Sequence, residues 1–157
     1  MKQINQKIQS LSNAKKIATK WKSVNQNIVF TNGCFDIFHY GHLHLLYSSK
    51  KLGDKLIIGL NDDHSIKKIK GKNRPTHNEK QRLFLLSSII FVDLVILFSE
   101  TTPIKIIQTI QPDILTKGAD YSIDQVVGRN EVVESGGKVV LIPLIKNLSS
   151  SSLMTKI

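Results

Sequence analysis

Two spacings of apolar residues alternate along this chain. Short unbroken runs in NIVFTN, KLIIGLN, DLVILF, DILT and KVVLIP are rich in β-branched residues and too brief for helices, so they predict strands buried on both faces. Between them the spacing turns helical. Leu11, Ala14, Ile17, Ala18 and Trp21 fall on one face of a helix near the start. GHLHLLYSSKKLG predicts a helix closed by Gly53, DDHSIKKI a short one, and NEKQRLFLLSSI another after the loop KGKNRPTH. TPIKIIQTIQ predicts a helix capped by Thr102 with Pro103 in its first turn. DQVVGRNEVVESGG reads as one further helix, and a final short helix is expected from Ser150 onward.

Strands alternating with helices predict an α/β fold: a Rossmann-like three-layer α/β/α sandwich around a five-stranded parallel sheet. No repeat or linker divides the chain, so residues 1–157 are expected to form one domain, with 1–26 as an N-terminal helical extension. In such sheets ligands bind beyond the carboxyl ends of the strands, near a switch in strand order. The segments that follow the predicted strands, NGCFDIFHYGH, NDDHSIKKIKGK, TKGADY and KNLSSSS, gather the polar, basic and glycine residues on that one edge.

Composition narrows the ligand. The net charge is +10, from 22 Lys and Arg against 12 Asp and Glu, which attracts anions. Aromatic residues are only 6% and the lysines are scattered, unlike the basic stripe with stacking rings that grips nucleic acid. Phosphate-bearing small molecules are therefore expected, with no nucleic-acid and no membrane partner. LIIGL and LVILF are far too short to span a bilayer, and the polar N-terminus lacks a signal-peptide core. The single cysteine, Cys34, fits a reducing cytoplasm and a small residue in a tight turn.

The chemistry concentrates in VFTNGCFDIFHYGHLHLL. A helix starting near Gly41 would aim free N–H groups at the strand ends, and Gly33 and Gly41 would let backbone approach a phosphate. His39 and His42 would be neighbours across the first turn, held neutral by the positive helix end until charge builds on a ligand. That suits phosphoryl chemistry carried by positioning and charge neutralisation, with no covalent nucleophile. His44, His64 and His77 lack such a setting and read as surface.

TNGCFDIFHYGH resembles the nucleotide-binding signature of the cytidylyltransferase-like nucleotidyltransferases. With KLGDKLIIGLNDD, IKKIKGKNRP, FVDLVILF, TPIKIIQTIQPDILTKGADY and VVGRNEVVESGGKVVLIP, the likeness covers nearly the whole chain and is greatest to the bacterial heptose 1-phosphate adenylyltransferases. The resemblance implies a HUP-type fold and transfer of AMP from ATP to D-glycero-D-manno-heptose 1-phosphate, giving ADP-heptose and pyrophosphate. It implies that Mg²⁺ enters on the ATP phosphates, with no metal site of the protein's own. It also implies a separate sugar kinase and a possible homodimer. Residue by residue, it implies that Thr31, Asn32, Gly33, Phe35 and Gly41 line the ATP site while Asp36 orients the loop. His39, His42 and Lys68 become the catalytic set, with Lys70, Lys117 and Gly118 on the nucleotide. Which of Lys67, Lys68, Lys70 and Lys72 reach the phosphates stays open, as does Asp120 with Tyr121. Arg82 is either an ion pair with Glu79 or a ligand contact, and Arg129 is expected on an exposed helix.

The closing motif departs from the family's glycine-then-Ser-Thr-Thr pattern, carrying Asn147, Leu148, Ser149, Ser150 and Ser151. The three serines keep the hydroxyls and are expected to bind nucleotide phosphate. Related glycerol-phosphate cytidylyltransferases have an Arg-Thr pair where this chain has Leu144 and Ile145, which favours the heptose branch. The rival readings are a cytidylyltransferase for glycerol 3-phosphate or ethanolamine phosphate, and a nucleotide-binding module without turnover.

Overall fold

Successive residues of the central strands enter two different cores, as the side-chain period of a strand requires. A computed structural model describes residues 2–120 and 122–145. In β2 (Ile28–Gly33), Ile28 and Phe30 join one apolar cluster and Val29 the other. In β3 (Lys55–Asn61), Ile57 joins the first, and Leu56, Ile58 and Leu60 the second. β4 (Leu94–Phe98) sends Leu94, Ile96 and Phe98 to the first and Val95 to the second.

Helices seal both cores. α2 (Leu11–Lys22), capped by Ser10 through its side chain, α6 (Ile104–Ile110) and α7 (Arg129–Glu134) cover the first cluster. α3 (Tyr40–Lys50) and α5 (Glu79–Ser88) cover the second with Leu46 and Leu86. α4 (Asp63–Lys70) follows β3 at the end of the sheet. The architecture is the expected Rossmann-like sandwich.

The strand number differs from the expected five. Among the described residues the sheet has six parallel strands in the order β1-β4-β3-β2-β5-β6, with β5 (Ile114–Gly118) and β6 (Lys138–Ile142) on one side. The addition is β1 (Ile8–Gln9), which follows α1 (Lys2–Lys7) and pairs with Val95 and Ile96. Two residues are too few to leave a periodic trace in sequence. Part of the expected N-terminal extension therefore belongs to the sheet, and Ala14 and Ala18 of α2 are fully buried in its core.

Two helix expectations are also corrected. DQVVGRNEVVESGG is interrupted: a 3-10 turn, Ile123–Gln125, and α7 flank Gly128 at φ +93°. A Cβ there would lie 2.2 Å from Ile107 Cδ1, so close packing on α6 breaks the helix. Thr102 does not cap α6; the N-cap is Pro103, and no side chain supplies the bond. The helix expected from Ser150 lies outside the described residues.

Chain order reverses between β2 and β5, which both pair along the middle of the sheet. The carboxyl ends of these strands open onto a cleft of about 440 Å³.

Candidate active site

The loop from β2 into α3 carries the histidines. His39 is itself the N-cap of α3, and its Nδ1 accepts the backbone N–H of Gly41 at 3.1 Å. That N–H is therefore committed to His39, not free for an anion as the sequence suggested. The bond also fixes the tautomer: with Nδ1 accepting, the proton of neutral His39 sits on Nε2, the opposite side of the ring. His42 stacks on His39 with centroids 3.8 Å apart and 27° between planes. Phe38 stacks behind His42 at 5.6 Å and Phe35 meets its edge at 5.2 Å. Burial comes first in pushing His42 down to about 4, and the charges of His39 and Lys70 add to it against the Ile37 backbone. Burial likewise lowers His39. Both rings stay neutral near pH 7, for desolvation more than for the helix end.

Phe35 holds φ +46°, unusual for a residue with a Cβ. The turn lays its ring beneath Gly33, where an added Cβ would sit 3.1 Å from Phe35 Cε2. Asp36 follows, 2% exposed, and is fully engaged. Its carboxylate accepts from Arg74 at 2.5 Å, the Thr76 N–H at 2.7 Å and the His77 N–H at 3.0 Å. The His77 ring closes the clasp on the Asp36 carbonyl at 2.8 Å, so His77 lies on the surface as expected but holds a partner there. Burial opposes the charge on Asp36, but the His77 N–H, Arg74 and the Thr76 N–H outweigh it and hold the carboxyl below its ordinary value. The loop after α4 is thereby tied to the histidine loop.

Arg82 completes that tie. Its guanidinium, 2% exposed, donates to the carbonyls of His77, Cys34 and Asn61 and to Asp63 Oδ1, at 2.7–2.9 Å. The ion-pair partner is Asp63, not the expected Glu79, and the four acceptors hold the guanidinium as a buried fork beneath the histidine loop. Glu79 instead accepts the Asp63 N–H.

Of the other expected residues, Asn32, Gly33, Phe35, Asp36, Gly41 and His42 line the cleft with His39, as do Lys117 and Gly118. Thr31 does not. It is fully buried, donating to the Thr116 carbonyl at 3.1 Å and so pinning β2 to β5 beneath the cleft. Lys70 lines the cleft and Lys68 does not; both lie in the last turn of α4, where Ile69 and Lys70 are the residues that border the cleft. Lys117 donates to the Asn32 carbonyl at 2.9 Å, and burial brings it down to about 8 against the pull of Cys34 and Asp120. Burial pushes the Cys34 thiol up. Arg129 heads α7 beside Asp124, outside the cleft. Tyr121, Asn147, Leu148, Ser149, Ser150 and Ser151 lie outside the described residues.

One buried side-chain atom at the cleft, Asn32 Oδ1, has no hydrogen-bond partner. Such orphans are rare and costly unless a ligand completes them. Among the described residues no cluster of His, Cys, Asp and Glu could hold a metal. The unpartnered oxygen of Asn32 is the acceptor at the cleft that would fit a hydrated cation arriving with a phosphate ligand.

Residues 30–156 match the cytidylyltransferase-like family. The chain belongs to that family. Among its relatives, the bifunctional protein HldE of Paramagnetospirillum magneticum is 45% identical over 150 residues, 96% of this chain and 31% of that protein. The HldE protein of Gluconobacter oxydans is 45% identical over 141 residues, 90% and 29% respectively. The chain thus spans less than a third of the length of these curated relatives. A solved structure, the lipopolysaccharide core biosynthesis protein from Thermoplasma volcanium, superimposes with a TM-score of 0.64 at 35% identity, covering 79% of this chain and all of that one.

Sequence reasoning missed the roles of Arg74 and Arg82, because their acceptors lie up to 48 positions away and leave no local pattern. It also passed over Asn61, Thr101 and Thr102, which line the cleft at the ends of β3 and β4. The rule that sites gather at the carboxyl edge had already placed the segment that Asn61 opens, and was enough to find the two threonines, had it been applied after the strand DLVILF.

Proposed function

We propose that this domain is a nucleotidyltransferase that moves AMP from ATP to D-glycero-D-manno-heptose 1-phosphate, releasing pyrophosphate and forming ADP-heptose. The observation that carries the reading is the stacked, neutral His39–His42 pair, set with Lys70, Lys117 and the orphaned Asn32 Oδ1 around one cleft. Membership in the cytidylyltransferase-like family and 45% identity to bifunctional HldE proteins support it.

An oxygen of the sugar phosphate attacks the α-phosphorus of ATP in line with the bond to the leaving pyrophosphate. That oxygen is already anionic near neutral pH, so no general base is needed. His39 offers Nε2–H and His42 a second imidazole donor to oxygens that gain charge in the transition state. Lys70 neutralises the phosphates as a mobile point charge, and Lys117 from its fixed place on the Asn32 carbonyl. Asp36 and Arg82 act at one remove, fixing the loops that present these groups. Ser149, Ser150 and Ser151 are assigned to the nucleotide phosphates by family likeness. Mg²⁺, entering on the ATP phosphates, would supply charge neutralisation on their oxygens. Asn32 Oδ1 would hold one of its waters.

We place the reaction in the cytoplasm, downstream of a sugar kinase that supplies the phosphorylated acceptor. Among the described residues no helix is long and apolar enough to cross a membrane. The test is a pyrophosphate-release screen of nucleoside triphosphates against sugar and polyol phosphates. ATP with the heptose 1-phosphate is expected to give the highest kcat/KM. A preference for CTP with glycerol 3-phosphate or ethanolamine phosphate overturns the heptose assignment, and ATP binding without turnover on any acceptor overturns catalysis.

A further inference from the structure

The strand order divides the cleft into two arms of different chemistry. On one side of β2, at the ends of β5 and β6, the lining includes Val126, Val127, Leu144 and Ile145. Leu144 reaches so close to Gly118 that a Cβ there would meet Leu144 Cδ2 at 2.8 Å. Apolar side chains around a glycine shape a slot for something flat, such as a nucleobase. On the other side, at the ends of β3 and β4, the lining offers Asn61, Lys70, Thr101 and Thr102.

The two threonines stand apart from the rest. Thr19, Thr31, Thr76, Thr109 and Thr116 each engage their hydroxyls in a hydrogen bond. Among the described threonines only Thr101 and Thr102 have hydroxyls with no hydrogen-bond partner. The loop does not need them. It is pinned by Asn61 Nδ2 on the Glu100 carbonyl at 3.4 Å, by the Glu100–Lys105 ion pair at 3.2 Å and by buried Pro103. Thr102 sits where a helix cap would, yet α6 starts without one. Two uncommitted hydroxyls on a loop that lines the same cleft as Lys70 suit a phosphate ester that carries several hydroxyls of its own.

We propose that Thr101 and Thr102 form a hydroxyl-reading subsite for the acceptor, binding ring or side-chain hydroxyls of the sugar phosphate while Lys70 meets its phosphate. The inference rests on the nucleotidyltransferase reading and adds to it which side chains discriminate the acceptor by its hydroxyls. ATP also carries ribose hydroxyls, so the test must separate the two substrates.

Thr101→Val and Thr102→Val keep the shape and remove the hydroxyl; Thr101→Ser and Thr102→Ser restore it. Steady-state pyrophosphate release is measured with ATP saturating and the sugar phosphate varied, and then the reverse. Each valine variant is expected to raise the acceptor KM about fivefold, as for one lost neutral hydrogen bond, with the ATP KM within about twofold. The serine variants return the acceptor KM to the wild-type value. Acceptors lacking single hydroxyls should lose affinity on the wild type and lose no more on the matching valine variant. A rise in the ATP KM instead, or no change in either, overturns the subsite. A wild-type protein that turns over no sugar or polyol phosphate overturns the parent reading and this inference with it.

Discussion

The imidazoles of His39 and His42 lie face to face, 3.8 Å between centroids, with Phe38 and Phe35 closing on the His42 ring from two further sides. The aromatic wall explains why His42 titrates near 4 while an unfolded chain takes up the proton near 6.5. Between those values the unfolded state binds more protons, so stability falls as pH drops through that window and is unaffected above it. Thermal melts at pH 7, 5.5 and 4.5 should show a smaller acid-side decline for His42→Gln than for the wild type. Parallel declines would refute the assignment. His42→Ala should also lower turnover about a hundredfold, the worth of one transition-state donor.

Lys68 and Lys70 both end α4, yet only Lys70 lines the cleft. Lys70→Ala is expected to lower kcat/KM about tenfold to a hundredfold, as for losing a charged contact to phosphate. Lys68→Ala should stay within about twofold. Steady-state kinetics on the pair decides it, and a larger effect at Lys68 would mean that α4 turns differently when substrate is bound.

Lys117 loses its proton near pH 8 because burial disfavours the ammonium. The charged form attracts the triphosphate, so ATP affinity should weaken by about tenfold as pH rises from 7 to 9, one charge-assisted contact being lost. Calorimetric titration at three pH values reads this, and Lys117→Met should be weak and flat across the range. A wild-type profile without a break near pH 8 would count against the contact.

Asp36 supports stability through its low carboxyl value: the contribution is present above the ordinary carboxylate range and is lost as pH falls through the folded value. Asp36→Ala strands the Arg74 guanidinium and the N–H groups of Thr76 and His77, and should cost about 3 kcal/mol in urea denaturation. A cost under about 1 kcal/mol would show that the clasp is replaceable by solvent.

What the sequence revealed and what it hid follow one physical line. Strands such as LIIGL were legible because both faces are apolar, and the His39–His42 turn because its residues are contiguous. Two-residue β1 was illegible for want of length, and the break at Gly128 because its cause is Ile107, on another helix. Thr31 reads as a site residue from its neighbours in the motif, yet the strand's alternation turns it into the core. Lys68 and Lys70 are told apart by the direction of one helical turn, which follows from how α4 is anchored by Asp62 and Arg82. The long-range clasps on Asp36 and Arg82 could be read only after folding brought their partners in.

Strand β1 has a consequence outside catalysis. Any terminal strand is a template on which a stray polypeptide can dock by backbone pairing, and here that place is taken by a stub of two residues joined to a helix. Lys7 adds a charge beside it, bonded to the carbonyl of Ile89 at 2.8 Å. A variant lacking residues 1–10 would bare the flank of β4, and its expected defect is growing light scattering on storage at high concentration, with enzyme chemistry intact in whatever stays dispersed.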